Sequence, residues 1–139
     1  MSLYILDTDC LSLLQRRHPT LVANVSSVPP DEVAITIISV EEQLTGWYAQ
    51  IRRARKPPQL ARAYQQLTDN VVMLSRLAVL TFTLPAIARF NQLTGLKLNI
   101  SSMDLRIAAI TLENSGTLVT RNARDFQRVP NLTIVDWTV

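Results

Sequence analysis

Three acidic residues stand where a predicted strand or helix meets the edge of a predicted sheet. Asp7 follows the apolar run Leu3–Leu6, Glu42 follows a second apolar run, and Asp104 opens a predicted helix. Carboxylates that converge repel one another and raise one another's pKa, a conflict that a divalent cation removes. Mg²⁺ prefers oxygen ligands and keeps several waters, so a few carboxylates suffice to bind it. Such an ion can polarise a phosphoryl oxygen and activate water.

Each of these acids also has a purely structural explanation. Asp7 could cap the helix that follows it, while Glu42 and Asp104 could interact with the positive end of a helix dipole. Glu42 also stands three positions after Ser39, which is the spacing of a capping box. The metal hypothesis therefore depends on whether the three side chains meet at one edge of the sheet.

The remaining residues offer few other nucleophiles or bases. His18 is the only histidine, and it precedes Pro19 in a predicted turn. Cys10 is the only cysteine, and no histidine is obviously at hand to activate it. The three glycines form no phosphate-binding loop. A metal-bound water is the simplest nucleophile left.

Composition sets the class of protein. The 139 residues fit one domain, 1–139, and 47% of them are hydrophobic while 18% are charged. This apolar surplus could cover a subunit interface. The net charge of +3 permits an anionic partner such as nucleic acid. One cysteine excludes an internal disulfide, and no signal peptide or membrane segment is evident, so we expect a cytoplasmic protein without membrane contact.

The elements that must position these residues alternate between strands and helices. Alternation of this kind predicts right-handed βαβ units around a parallel sheet. We therefore predict an α/β/α fold with a central, mainly parallel five-stranded sheet and a helical hairpin inserted between strands two and three. The predicted strands are Leu3–Leu6, Glu32–Ile38, Val79–Phe82, Thr117–Thr120 and Leu132–Trp137. The predicted helices are Cys10–Arg17, a segment from Pro19, Ser39–Lys56, Gln59–Leu77, Pro85–Gly95 and Met103–Asn114, with a turn-rich connection over Arg121–Pro130.

Five short segments follow one another along the chain in a characteristic order. They are Leu6–Asp9, Ser39–Gly46, Asp104–Ala109, Leu118–Phe126 and the terminal Asp136–Trp137. In this order they resemble a PIN domain. The order and spacing are most similar to a VapC-type toxin ribonuclease, and the resemblance covers essentially the whole chain.

The resemblance implies a function and a set of partners. Asp7, Glu42 and Asp104 match the metal-binding acids of the family, with Glu42 acting directly or through a water. Family members bind Mg²⁺ or Mn²⁺ and cut RNA endonucleolytically. They pair as homodimers and are silenced by an antitoxin encoded beside them.

Two positions depart from the family pattern. Glu41 adjoins Glu42, and we choose Glu42 because family members place the acid four positions before a glycine, here Gly46. The fourth family position is often Asp and is Asn122 here. We predict that Asn122 orients a metal-bound water, with Asp125 as the alternative fourth acid.

Basic residues form two groups with different predicted roles. Arg121, Arg124 and Arg128 flank the proposed active edge, so we expect them to contact RNA phosphates. The run Arg52–Lys56 ends a predicted helix, where cations suit the dipole, and a solvated face is the simpler interpretation.

Two other functions compete with a metal-dependent nuclease. The spacing of Asp7 and Asp9 is similar to the acid-x-acid motif of aspartyl phosphotransferases. Those enzymes also have a lysine and a pair of acids later in the chain, and these have no clear match here. A catalytically silent RNA- or protein-binding module of the same fold is the second.

Overall fold

The computed structural model describes residues 2–139, and a five-stranded sheet lies at its centre. The strands are β1 (Tyr4–Leu6), β2 (Val33–Thr36), β3 (Ala78–Leu80), β4 (Thr117–Val119) and β5 (Thr133–Val135). Their order across the sheet is β3-β2-β1-β4-β5, and every neighbouring pair is parallel. The predicted α/β fold with a parallel central sheet is therefore confirmed.

Helices connect the strands and cover both faces of the sheet. They are α1 (Thr8–Gln15), α2 (Pro19–Ser26), α3 (Ile37–Arg53), α4 (Pro57–Leu74), α5 (Leu84–Gly95), α6 (Ser102–Glu113) and the short α7 (Ala123–Phe126). Proline stands at the first or second position of α2, α4 and α5, where no backbone N–H is needed. Helices α3 and α4 form the hairpin that was predicted between β2 and β3.

The three central strands, β1, β2 and β4, are apolar on both faces because the sheet separates two cores. Successive side chains of a strand point to opposite faces. Ile5 accordingly packs in one cluster with helices α5 and α6, whereas Leu6 packs in the other with helix α1. Burial on both faces explains why these strands are continuous apolar runs without polar alternation.

The chain changes direction across the sheet at β1. It leaves β1 toward β2 on one side, and later returns to pair β4 with the other side of β1. At such a switch point the loops that leave the carboxyl ends of the strands diverge and open a crevice. Asp7 lies at this crevice, directly after β1.

Several predicted boundaries differ from the observed ones by one to three residues, and the error at the junction of β2 and α3 has a clear cause. Strand β2 ends at Thr36, whose hydroxyl caps α3 by accepting the Ser39 N–H at 3.2 Å. Ser39 is therefore inside the helix, and the predicted capping box with Glu42 does not form. Ile38 is 3% exposed in the first turn of α3, so the apolar run passes from strand to helix without a break in hydropathy.

Two further points complete the architecture. The predicted turn-rich connection over 121–130 contains the one-turn helix α7. Within residues 2–139, no helix combines the length and the apolar character that a membrane crossing requires.

Candidate active site

A cavity of about 420 Å³ opens at the carboxyl edge of β1 and β4. Three predicted acids and the predicted fourth-position residue all contribute to its wall, although they come from distant parts of the chain. Its lining residues are Asp7, Thr8, Asp9, Glu42, Asp104, Arg121, Asn122 and Phe126. We call this cavity the acidic pocket.

Asp7 is both a helix cap and a wall of the acidic pocket. Its Oδ1 accepts the backbone N–H of Cys10 at 2.8 Å, which caps α1. The side chain is nearly buried, and this burial raises the pKa of Asp7 above its usual value. Hydrogen bonds from Thr120 and Cys10 offset part of that increase. The capping role and the exposure of a carboxylate to the pocket therefore coexist.

Glu42 is held in the acidic pocket by a hydroxyl from the neighbouring helix. Thr8 Oγ1 donates to Glu42 Oε1 at 2.6 Å and also lies 2.8 Å from Ser39 Oγ. These contacts tie the start of α1 to the second turn of α3. Glu41 is exposed and does not line the acidic pocket. The geometry therefore favours Glu42 over Glu41 as the acid that faces the crevice.

Asp104 enters the acidic pocket from the first turn of α6. Its backbone N–H donates to Ser101 Oγ at 3.2 Å, so Ser101 caps the helix. The side chain is half-buried, and desolvation raises the pKa of Asp104. The carboxylate of Asp125 raises that pKa further, while the Ser101 hydroxyl lowers it.

Asn122 and Asp125 occupy different positions at the fourth site. Asn122 lines the acidic pocket, and its Nδ2 donates to Asp125 Oδ2 at 3.0 Å. Asp125 does not line the pocket, and its other oxygen accepts from Arg128 Nη2 at 3.1 Å. Asp125 is thus placed to orient the Asn122 amide. Which of the two serves a metal stays a prediction.

The three predicted RNA-binding arginines have different surroundings. Arg121 lines the acidic pocket and forms a two-point ion pair with Asp9, at 2.6 and 3.2 Å. The hydrogen bond with Asp9 raises the pKa of Arg121. Arg128 donates to the carbonyl oxygens of Leu98 and Asn99 and thereby ties its own loop to theirs. Arg124 is exposed on α7 outside the acidic pocket.

The donor set of the acidic pocket suits a hard cation better than a soft one. In the described part of the chain, Asp7, Asp9 and Cys10 have potential ligand atoms within 4.8 Å of one another. Cys10 is fully buried, and burial raises the pKa of its thiol, so this sulfur stays protonated and is a poor ligand. The carboxylate and amide oxygens that line the pocket are the ligands that Mg²⁺ and Mn²⁺ prefer. Asp7, Glu42 and Asp104 share the pocket without such close mutual contact.

The contact of Thr8 with Glu42 was not predicted from the sequence. The Thr8 hydroxyl fixes Glu42 and joins α1 to α3. The only sequence signal for this contact is a hydroxyl at the first position of the helix that follows β1.

The fold and the site together define a class of protein. A parallel α/β sheet with acids gathered beyond the carboxyl end of its central strand is typical of proteins that bind their ligand at that edge.

Comparison with known proteins narrows this class. The chain is 28% identical over 138 residues to ribonuclease VapC1 of Haemophilus influenzae strain R2866, covering 98% of both chains. It is 29% identical over 141 residues to ribonuclease VapC2 of Rickettsia felis, covering 97% of this chain and 98% of the relative. The structure of VapBC2 from Rickettsia felis, bound to a DNA fragment from its promoter, superposes with a TM-score of 0.76 at 26% identity. That superposition covers 97% of this chain and 98% of the other.

No family model matches the chain. The relatives nevertheless confirm the predicted resemblance to VapC-type proteins of the PIN-domain family over nearly the full length of the chain.

Proposed function

We propose that this chain is a metal-dependent endoribonuclease and the toxin component of a type II toxin–antitoxin pair. The observation that carries this proposal is the meeting of Asp7, Glu42, Asp104 and Asn122 around one pocket at the carboxyl edge of β1. Relatives named ribonuclease VapC, similar over nearly the whole chain, support the reaction class.

The residues of the acidic pocket divide the work of hydrolysis. Asp7 and Asp104 would hold Mg²⁺ or Mn²⁺, with Glu42 contributing directly or through a water. A cation bound there would polarise the phosphodiester and acidify water. Glu42, fixed by Thr8, is positioned to accept a proton from the water whose oxygen attacks phosphorus, while the bond from phosphorus to the leaving ribose oxygen breaks and that oxygen takes a proton from solvent. Asn122 orients that water by a hydrogen bond, and Arg121 offers positive charge to the phosphate once it leaves Asp9.

Cleavage of RNA in the presence and absence of metal tests the proposal. Purified protein should cut a labelled single-stranded RNA internally with Mg²⁺ or Mn²⁺, and EDTA should stop the reaction. RNA that is bound but never cut, with either metal, would favour the catalytically silent binding module. A phosphotransferase has less support, because no lysine lines the acidic pocket.

The proposal extends to partners and location. The solved relative from Rickettsia felis is a VapBC2 complex, and we propose a cognate antitoxin for this chain too. An arginine of such an antitoxin would pair with the acids of the pocket in a two-point interaction. We also propose a homodimer, since Leu60 and Tyr64 expose apolar surface on α4, and a cytoplasmic site of action.

A further inference from the structure

A second cavity adjoins the acidic pocket and is larger, at about 530 Å³. It shares Thr8 and Glu42 with the acidic pocket and lies between α1, α3 and α4. Five carboxamide side chains and one aromatic ring contribute to its wall. These residues are Gln15, Gln43, Gln50, Gln66, Asn70 and Trp47. We call it the amide cavity.

Part of the amide cavity is rigid and part is free to bind. Gln15 and Gln43 form a reciprocal pair, in which each Nε2 donates to the other's Oε1 at 2.8 and 2.7 Å. Gln43 is 7% exposed, so this pair forms a fixed floor between α1 and α3. Gln15 keeps one N–H and one lone pair for another partner. Gln50 and Gln66 are exposed at the rim.

The amide cavity continues into a third depression along the hairpin. That depression, of about 310 Å³, shares Gln50 and Gln66 with the amide cavity and is also lined by Arg53 and Arg62. Eleven residues of α3 separate Glu42 from Arg53, which corresponds to about 16 Å at 1.5 Å per residue. The three cavities adjoin one another along the hairpin and are together called the hairpin groove. Acids lie at one end and arginines at the other, and the middle is lined mainly by amides, together with Arg16 and Asp69.

This sequence of chemistries matches an unpaired strand of RNA. Amide side chains hydrogen-bond base edges, aromatic rings stack on unpaired bases, and arginines neutralise phosphates. A volume of about 530 Å³ falls within the range of small-ligand sites. An amphipathic helix would need a row of apolar anchors, whereas only Gly46 and Trp47 among the lining residues of the amide cavity are not polar.

We infer that the hairpin groove binds the RNA segment next to the scissile bond, with one unpaired base inside the amide cavity. This inference rests on the proposed function and adds to it the residues that select the base. Gln50 and Gln66 read the base edge, Trp47 stacks on the base, and Arg53 and Arg62 bind the phosphate that follows.

Photocross-linking locates the RNA without requiring cleavage. The full-length protein in EDTA is irradiated with a short single-stranded oligoribonucleotide that carries 5-iodouridine at one position in turn. Mass spectrometry of the digested adduct should identify Trp47 for one position of the label. Adducts confined to residues outside the hairpin groove would overturn the inference.

A side chain that fills the amide cavity tests the inference while leaving all polar groups of the cavity in place. Gly46 lies inside α3, and no atom lies within 4 Å of a Cβ built there. Gly46→Leu should therefore fold, because leucine favours helix. Its side chain should weaken oligonucleotide binding by about tenfold, the scale of one lost base stack. Gly95→Leu is the matched control, since its Cβ also meets open space but lies on α5.

Two further pairs of variants separate base reading from phosphate binding. The double variant Gln50→Ala, Gln66→Ala should change which base is preferred at one position of a cleavage library, while exposed Gln92→Ala should not. Arg53→Ala should weaken binding to all RNA sequences. It should also lower the slope of log binding constant against log salt concentration by about one. Arg52→Ala should leave both unchanged, since Arg52 is exposed and does not line the groove.

The outcomes distinguish this inference from the proposed function. If cross-links fall on Trp47 but no metal supports cleavage, the nuclease proposal fails and the RNA groove stands. If the wild-type protein cuts RNA, while Gly46→Leu and the double glutamine variant bind and cut with unchanged base preference, the groove assignment is wrong. Occupation by a protein partner alone, with no RNA bound there, would also overturn it.

Discussion

Asp7 and Asp104 are carboxylates that burial makes harder to ionise. Asp7 must nevertheless stay in place, because it ends β1 and caps α1 with the same side chain. The folded protein therefore keeps the charge of Asp7 near its core, which costs stability. A polar but neutral side chain at this position would remove that cost. A divalent cation bound there would offset it by stabilising the charged carboxylate.

Replacement of Asp7 by Asn should separate stability from activity. Asp7→Asn should raise the free energy of unfolding at pH 7, because asparagine caps a helix as well as aspartate does and carries no charge. RNA cleavage should fall by at least about a hundredfold, and Asp104→Asn should do likewise. Urea denaturation and a cleavage assay measure the two effects, with exposed Asp31→Asn as the control. Wild-type cleavage by purified Asp104→Asn would contradict its assignment.

The pH dependence of the stability gained by Asp7→Asn follows from the raised pKa of Asp7. The pKa of Asp7 is raised in the folded protein, so the carboxyl group contributes its full stability below the unfolded value of about 3.9. That contribution is lost as pH rises through the folded pKa. The advantage of Asp7→Asn should therefore be largest near pH 7 and should shrink toward pH 4. An advantage that is constant across this range would contradict the explanation.

The fourth position of the site can be tested by three substitutions. Asn122→Ala should slow cleavage by about 10- to 100-fold, as expected for a residue that orients a metal-bound water. Asp125→Asn should change metal affinity little, because Asp125 faces Asn122 and Arg128. Asn122→Asp should tighten Mn²⁺ binding but destabilise the metal-free protein, since it puts a second carboxylate about 3.0 Å from Asp125. Calorimetric titration with Mn²⁺ decides this, and loss of metal by Asp125→Asn alone would identify Asp125 as the fourth acid.

Among the elements, the approach of β1 to β4 brings Asp7 and Asn122 to the same edge. Gly116 precedes β4, and a Cβ there would lie 2.8 Å from Ile5 Cδ1 and 3.3 Å from the Leu3 carbonyl oxygen. Gly116→Ala should therefore destabilise the protein by about 1–3 kcal/mol through overpacking. Gly95→Ala meets no such neighbour and should change stability by roughly 0.5 kcal/mol or less. Thermal unfolding of both variants measures the difference, and equal melting temperatures would show that Ile5 can yield.

Element types were predictable from the sequence because each strand is a short, mainly apolar run, and because a proline or serine stands in the first turn of several helices. Boundaries were less predictable. The apolar run of β2 continues into α3, so hydropathy carried no signal for the change at Thr36, and only the threonine hydroxyl marks it.

The acidic pocket was predictable in part, because its acids stand at recognisable places in the sequence. Asp7, Glu42 and Asp104 follow strand or helix ends, and parallel topology brings such ends to one edge. The amide cavity was not predictable. Its glutamines lie on α1, α3 and α4 with no shared spacing, and they meet only because the hairpin packs beside α1. The ion pair between Asp9 and Arg121 likewise depends on the positions of β1 and β4.

For the whole molecule, apolar surface on α4 is the feature that bears on assembly. Leu60 is 39% exposed and Tyr64 is 52% exposed, one turn apart, and both line a shallow depression with Pro57. Two such surfaces related by a two-fold axis would bury each other.

Charge introduced at this surface should dissociate the proposed dimer. The double variant Leu60→Lys, Tyr64→Lys should sediment as a monomer, whereas the wild-type protein should sediment as a dimer at tens of micromolar, roughly the level expected for a stable interface. Leu96→Lys is the control, since Leu96 is 53% exposed at the end of α5. A monomeric wild-type protein would contradict the homodimer. If the double variant remained a dimer, the interface would lie on another surface.

Cys10 is a natural probe of local opening in the folded chain. Its thiol is the only one in the sequence, is fully buried beneath Asp7, and has its pKa raised by burial and by the neighbouring carboxylates. A thiol-specific reagent can therefore modify it only when α1 lifts away from the sheet, so the labelling rate reports how often the edge that carries Asp7 opens. Excess Mn²⁺ should slow labelling in the wild-type protein, because an ion held by Asp7 opposes that opening. Asp104→Asn should remove most of this protection, whereas fast labelling of the native protein, unchanged by metal, would mean that α1 opens independently of the site.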